Sequence, residues 1–154
     1  MAEFDSLAAF ADELGAMEGR LAGGIAPGLS ALSAELLEKA RGRVGHYQDA
    51  AGPFPAWAAL ARSTEAEKRR LGYRPDAPLE RSGAMRERFD FDVEGTQAVV
   101  GSPDQVAVWH ETGTPRMPAR EVFGPTAVVD GPGAVERFAR RLIGVMLGID
   151  EEGI

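Results

Sequence analysis

Apolar residues recur every three or four positions from the start of the chain. Phe4, Leu7, Ala11, Leu14, Met17 and Leu21 line one face of a helix with 3.6 residues per turn. Gly23-Gly24 interrupts the pattern, and Pro27 suits the first turn of a following helix, where its missing N–H is not needed. Leu29, Leu32, Leu36 and Ala40 then continue an apolar stripe, with Val44 at its end and Gly45 as the stop. The pattern predicts two helices over residues 1–46, or one long helix kinked at the glycines. Leu36 and Leu37 together widen the stripe, so this segment is expected to pack on two partners.

Residues 47–84 lose the period and read as a loop-rich insert. Ala50-Ala-Gly-Pro-Phe-Pro and Arg74-Pro-Asp-Ala-Pro are loops, because proline removes a backbone donor and fixes φ. A short helix capped by Ser63 or Thr64 is expected between them, ending near Gly72. An insert of this length in a compact domain has a function or folds against a neighbour.

From residue 85 the period becomes two. Phe89, Phe91 and Val93 alternate with Arg88, Asp90, Asp92 and Glu94, the pattern of a half-buried strand. Glu94-Gly95 makes a turn, and Gln97 to Val100 returns as a second strand. Val106-Ala-Val-Trp is a third short apolar element, helix or strand, and Val122-Phe123 reads as a further strand within residues 85–126. Gly131-Pro-Gly opens a last helix over residues 131–148. Its expected buried stripe is Val135, Phe138, Leu142 and Val145, with Arg137, Arg140 and Arg141 facing away. The expected fold class is α+β: N-terminal helices and a C-terminal helix packed on a small, mostly antiparallel sheet, as a single domain over residues 1–154.

Composition removes several kinds of chemistry. The chain has no cysteine, which excludes disulfides, zinc–thiolate sites and cysteine nucleophiles and fits a reducing compartment. No apolar run is long enough to cross a membrane, and Met-Ala-Glu-Phe-Asp does not read as a signal peptide. The formal charge is −7, the wrong sign for gripping a phosphate backbone. The basic residues gather between Arg62 and Arg88 and again at Arg137, Arg140 and Arg141, and read as solvated faces.

Catalytic motifs are not assembled. His110-Glu111 resembles the start of a zinc-protease motif, but Thr114 stands where the second histidine belongs. There is no Gly-x-Ser-x-Gly elbow, and no phosphate-binding glycine loop followed by Lys-Ser or Lys-Thr. Asp90 and Asp92 both point to the solvent face of their strand. The expectation is therefore no enzyme, no cofactor and no metal site. Trp109 and His110 read equally as core residues or as the border of a subunit contact. Arg116, Met117 and Arg120 sit beside rigid prolines, as in contact surfaces that lose little entropy on binding. With Trp57 these five form the candidate protein–protein interface.

Five elements occur in a characteristic order. Trp57, Leu60, Thr64 and Lys68 form the first, and Ser82-Gly83-Ala84-Met85-Arg86 leads into the strand. Val100-Gly101-Ser102 ends the second strand, Val106-Ala-Val-Trp-His110-Glu-Thr-Gly113 follows, and Met117-Pro-Ala-Arg120 closes the series. Over roughly residues 54 to 147 this order resembles the phage virion-morphogenesis or tail-completion family, the head–tail junction neck proteins of tailed phages. Val106 replaces the family's usual tyrosine and Glu121-Val122 its Pro-Phe, which leaves the subfamily open.

The resemblance implies a structural virion protein that completes the tail or joins tail to head as a ring. The ring would be a homo-hexamer, matching sixfold tail tubes, and DNA would pass through its lumen without specific binding. Its partners would be copies of itself and tail-tube, tail-terminator or head-connector proteins, with no membrane. Its location would be the virion, at the head–tail junction or tail end, and the host cytoplasm during assembly. The alternatives are a non-virion assembly factor and a small soluble hydrolase using His110 and Glu111.

Overall fold

The computed structural model describes residues 4–149. Its longest element is helix α1, Leu7–Arg43. At 37 residues it runs about 55 Å. Ser6 caps its start, the hydroxyl accepting the N–H of Ala9 at 3.1 Å. The two helices expected over residues 1–46 are thus a single one, with Pro27 inside it. Tertiary packing explains why the glycines do not break it. A Cβ at Gly28 would lie 2.7 Å from the Phe138 ring, and one at Gly24 would lie 3.0 Å from Val145 Cγ1. Gly24 and Gly28, one turn apart, make the flat surface on which the C-terminal helix rests.

Helix α2 (Arg62–Arg70) starts from Ala61 with no side-chain cap, so neither Ser63 nor Thr64 holds the expected position. Its end is marked by Gly72, whose φ of +80° needs glycine. The single turn α3 (Ala84–Glu87) leads into strand β1 (Asp90–Glu94), which pairs antiparallel with β2 (Gln97–Gly101) in the register Asp92 opposite Val99. Phe91 and Val93 turn inward as the alternation predicts. The N–H groups of Phe91 and Val93 are bonded by the Asp90 and Asp92 carboxylates, at 2.9 and 3.0 Å.

Among the described residues the sheet has only these two strands. The apolar segment of unsettled type is helix α4 (Gln105–Thr112), opened by Asp104, whose carboxylate accepts the N–H of Val106 at 3.0 Å. The expected strand at Val122-Phe123 is instead the start of helix α5 (Phe123–Val129). Helix α6 (Gly131–Leu147) follows and packs antiparallel on α1. Ala134, Phe138 and Leu142 face α1, but Val135 is 54 % exposed and lies outside the buried stripe. Its helical phase is one residue off the α1 contact.

The wide stripe on α1 is used on two sides. Its middle carries α6, and its C-terminal half carries the hairpin and α5. The core lies there: Leu37, Ala40, Val44, Trp57, Phe89, Ala107 and Val122 are buried together, with Phe89 tilted against Phe123 at 4.8 Å between centroids. Arg43 ties the end of α1 to the α5–α6 junction by an ion pair to Asp130 at 2.9 Å and a hydrogen bond to Thr126 at 2.9 Å. The insert also folds onto this body, contributing buried Trp57, Ala77 and Pro78.

Candidate functional site

The connection from α4 to α5 is where the signature residues meet. Gly113 ends α4 with φ +72°, and a Cβ there would lie 2.9 Å from the backbone nitrogen of Ala119. Only glycine fits. Thr114 and Met117 then close a tight loop by mutual backbone bonds of 2.8 and 3.1 Å. The chain returns to α4 through the N–H of Arg120, which donates to the His110 carbonyl at 2.7 Å.

Glu111 holds the next helix. Its carboxylate accepts the N–H groups of Val122 at 2.7 Å and of Phe123 and Gly124 at 3.1 Å each. Pro125 has no N–H to offer. The four donors that a helix start normally leaves open are therefore all accounted for, three by one carboxylate and the fourth by its absence. A negative charge is also favoured at that end of the helix dipole. Sequence reading missed this role of Glu111. A carboxylate that caps a helix 12 residues further on leaves no local pattern.

Arg120 is buried, with 5 % exposure. Its guanidinium donates to the carbonyls of Ala58 at 3.0 Å and Ala59 at 3.4 Å, pinning the insert against the loop. Its Nε has no partner. Burial pulls its pKa below the usual arginine range, with Tyr47 opposing. His110 lies partly buried beside it. Burial first, and the Arg120 charge second, lower the histidine pKa and favour the neutral ring. Its Nδ1 is sealed from solvent without a partner. Lys68 is buried too, its ammonium donating to the Ala77 carbonyl. Burial lowers its pKa, and the carboxylates of Glu80 and Asp76 oppose that shift.

A cleft of about 420 Å³ opens between α2, the insert and the α4–α5 loop, and Lys68, His110, Arg116, Met117, Pro118 and Arg120 contribute to its wall. Four of the six candidate interface residues thus converge. The other two do not join them. Trp57 is a core residue, 7 % exposed, with its indole N–H donating to the Glu121 carbonyl at 3.2 Å. Trp109 stands half exposed on α4, away from the cleft wall. Arg116 is exposed at the cleft mouth, whereas Arg120 braces the subunit from inside. Among the described residues no cluster of three or more histidines and carboxylates is placed to hold a metal.

The sequence pattern of the phage virion morphogenesis family matches residues 5–152, almost the whole chain. The chain belongs to the phage virion morphogenesis family. No curated protein and no solved structure matches it significantly. Family membership supports a part in phage virion assembly, and a structural protein rather than an enzyme. As a virion morphogenesis protein it acts in the particle or during its assembly. Among the described residues no helix is long and apolar enough to cross a membrane.

Proposed function

We propose that this virion morphogenesis protein completes the tail or joins tail to head, as a ring of identical subunits around the DNA channel. The observation that carries the reading is the family match across residues 5–152. The convergence of Lys68, His110, Met117 and Arg120 on one cleft supports it, because it gives the family-like motifs a common location. Six copies would match the symmetry of a tail tube. Each subunit would present one surface to a different surface of the next, the contact type that closes a ring. The negative subunit charge suits a channel that lets DNA pass without gripping it. Tail-tube, tail-terminator or head-connector proteins would cover the ring's two ends, at the head–tail junction or the tail end. In this reading Arg116 and Met117 at the cleft mouth, with exposed Trp109, form the outward contact. His110 and Arg120 shape it from below, and Trp57 supports it from the core.

The hydrolase alternative is less favoured, because Glu111 would have to act while it holds three backbone donors at the start of α5. Deleting the gene is the direct test: unjoined heads and tails should accumulate. Mass spectrometry of wild-type particles should find the protein. Its absence from infectious particles would replace the ring with a non-virion assembly factor.

A further inference from the structure

The cleft between α2, the insert and the α4–α5 loop holds positive charge that its own wall does not neutralise. Four cations, Lys68, Arg81, Arg116 and Arg120, face two carboxylates, Glu67 and Glu80, in a chain whose net charge is −7. Both carboxylates are already engaged, Glu67 by Arg81 at 2.8 Å and Glu80 by Arg74 at 3.4 Å. Lys68 is 6 % exposed and Arg120 is 5 % exposed, yet their side chains bond only to carbonyls. Glu80 and Asp76 act on Lys68 from beyond ion-pair distance. Exposed Arg116 makes no ion pair among the described residues. Buried cations are ordinarily paired with an anion, so the site lacks one.

Two further observations fall on the same wall. Arg120 Nε and His110 Nδ1 are sealed without a partner, and such atoms in a folded chain call for an explanation. Leu79, also in the wall, has φ +60° and is the one non-glycine with a left-handed backbone among the described residues. Such strain collects at binding sites. Leu60 and Met117 give the wall an apolar part, so the ligand that fits joins carboxylates to an apolar neighbour. A nucleic-acid backbone fits poorly, because it needs an extended basic track and would meet Glu67 and Glu80.

We infer that the cleft binds the acidic segment Asp150-Glu151-Glu152 of a neighbouring copy. Nowhere else in the chain do three acidic residues follow one another, and Ile149 and Ile154 flank them with apolar side chains. The segment cannot reach its own cleft. Arg20 Nε donates to the Met146 carbonyl at 3.0 Å, which puts the end of α6 beside Arg20. The cleft lies at the far end of α1, where the Gly45 N–H donates to the Pro78 carbonyl at 2.8 Å. Arg20 to Arg43 is about 35 Å of helix. Three residues beyond Ile149 span at most about 10 Å. Each copy thus gives a segment and offers a cleft, a head-to-tail contact of the kind that closes a ring. The inference rests on the reading that copies of this chain associate in the particle, and it names the ligand of the cleft.

The test titrates the full chain with a labelled peptide of residues 149–154, Ile-Asp-Glu-Glu-Gly-Ile, capped at both ends so that only side chains carry charge. The receptor carries Asp150→Asn, Glu151→Gln and Glu152→Gln, which removes the competing segment and keeps the cleft. It should bind the peptide with Kd of about 0.1 mM or tighter. The matching Asn-Gln-Gln peptide should bind at least about tenfold more weakly. Arg116→Glu in the same receptor should weaken binding by a similar factor and leave the melting temperature unchanged, since the side chain is exposed. Arg140→Glu, an exposed arginine on α6, should leave binding as it was. In sedimentation at roughly 0.3 mM the wild type should self-associate, and the neutral-segment variant at least about tenfold more weakly. No peptide binding, equal binding of the neutral peptide, or equal loss from Arg140→Glu overturns the site. Binding of inorganic phosphate or a single-stranded oligonucleotide in place of the peptide overturns it too. A monomeric wild type, or a neutral-segment variant that associates normally, overturns the contact between copies. All these outcomes leave the assembly role to the gene deletion, so the two readings fail separately.

Discussion

The ring of Phe138 lies directly on the backbone of Gly28, closer than any side chain at that position would allow. Gly28→Ala would place a methyl 2.7 Å from the ring. We expect it to cost about 1–3 kcal/mol, as overpacking does. Gly19→Ala, in the same helix with nothing within 4 Å, should instead stabilise by about 0.5–1 kcal/mol. Denaturant midpoints of the two variants should move in opposite directions. Equal shifts would mean that α6 does not rest on this glycine.

Glu111 gives a second prediction. Glu111→Ala strands three backbone donors at the start of α5 and should cost about 2–4 kcal/mol. Glu111→Gln keeps one acceptor oxygen and should cost about half as much. A melting series on the two variants checks the order. A neutral Glu111→Ala would show that α5 does not depend on this carboxylate.

Arg116 and Arg120 should separate assembly from stability. Arg120→Glu puts an acid among the carbonyls of Ala58 and Ala59 in a buried site, and should cost about 3–5 kcal/mol. Arg116→Glu, on an exposed loop, should change stability by less than about 0.5 kcal/mol while lowering the yield of joined particles. Melting temperature and particle yield on each single variant distinguish the two. Normal yield from Arg116→Glu would take the cleft mouth out of the contact.

Stability should fall on mild acidification because of His110. Its folded pKa lies below the ordinary 6.5, so the unfolded chain binds this proton first. The stabilisation is complete above pH 6.5 and is lost as the pH falls through that value toward the folded pKa. His110→Gln should flatten this part of the stability profile. A profile unchanged in the variant would show that the ring titrates freely.

Much of the fold was legible because local chemistry and tertiary packing agree there. The alternation around Phe91 and Val93 is a strand because the hairpin lies on α1, and the stripe of Leu32, Leu36 and Ala40 is a helix because α1 is the central support. The errors occurred where distant contacts decide. Gly23-Gly24 left two helices or one kinked helix open, since nothing nearby shows that α6 will cross at Gly24. Val122-Phe123 read as a strand since the carboxylate that makes it a helix start comes from Glu111 on another element. Within the candidate site, sequence spacing brought out Arg116 and Arg120 together but not their opposite environments. Burial of Arg120 depends on the carbonyls of Ala58 and Ala59, some 60 residues away.

The aspartates of the hairpin have a consequence for the unassembled subunit. A two-stranded ribbon has two open margins, and an open margin is a template for adding strands from other molecules. On β1 the outward N–H groups of Phe91 and Val93 are already occupied by Asp90 and Asp92. An incoming strand would have to displace two carboxylates and then sit beside their charge. Along its β1 margin the subunit thus resists amyloid-like stacking while it awaits the particle.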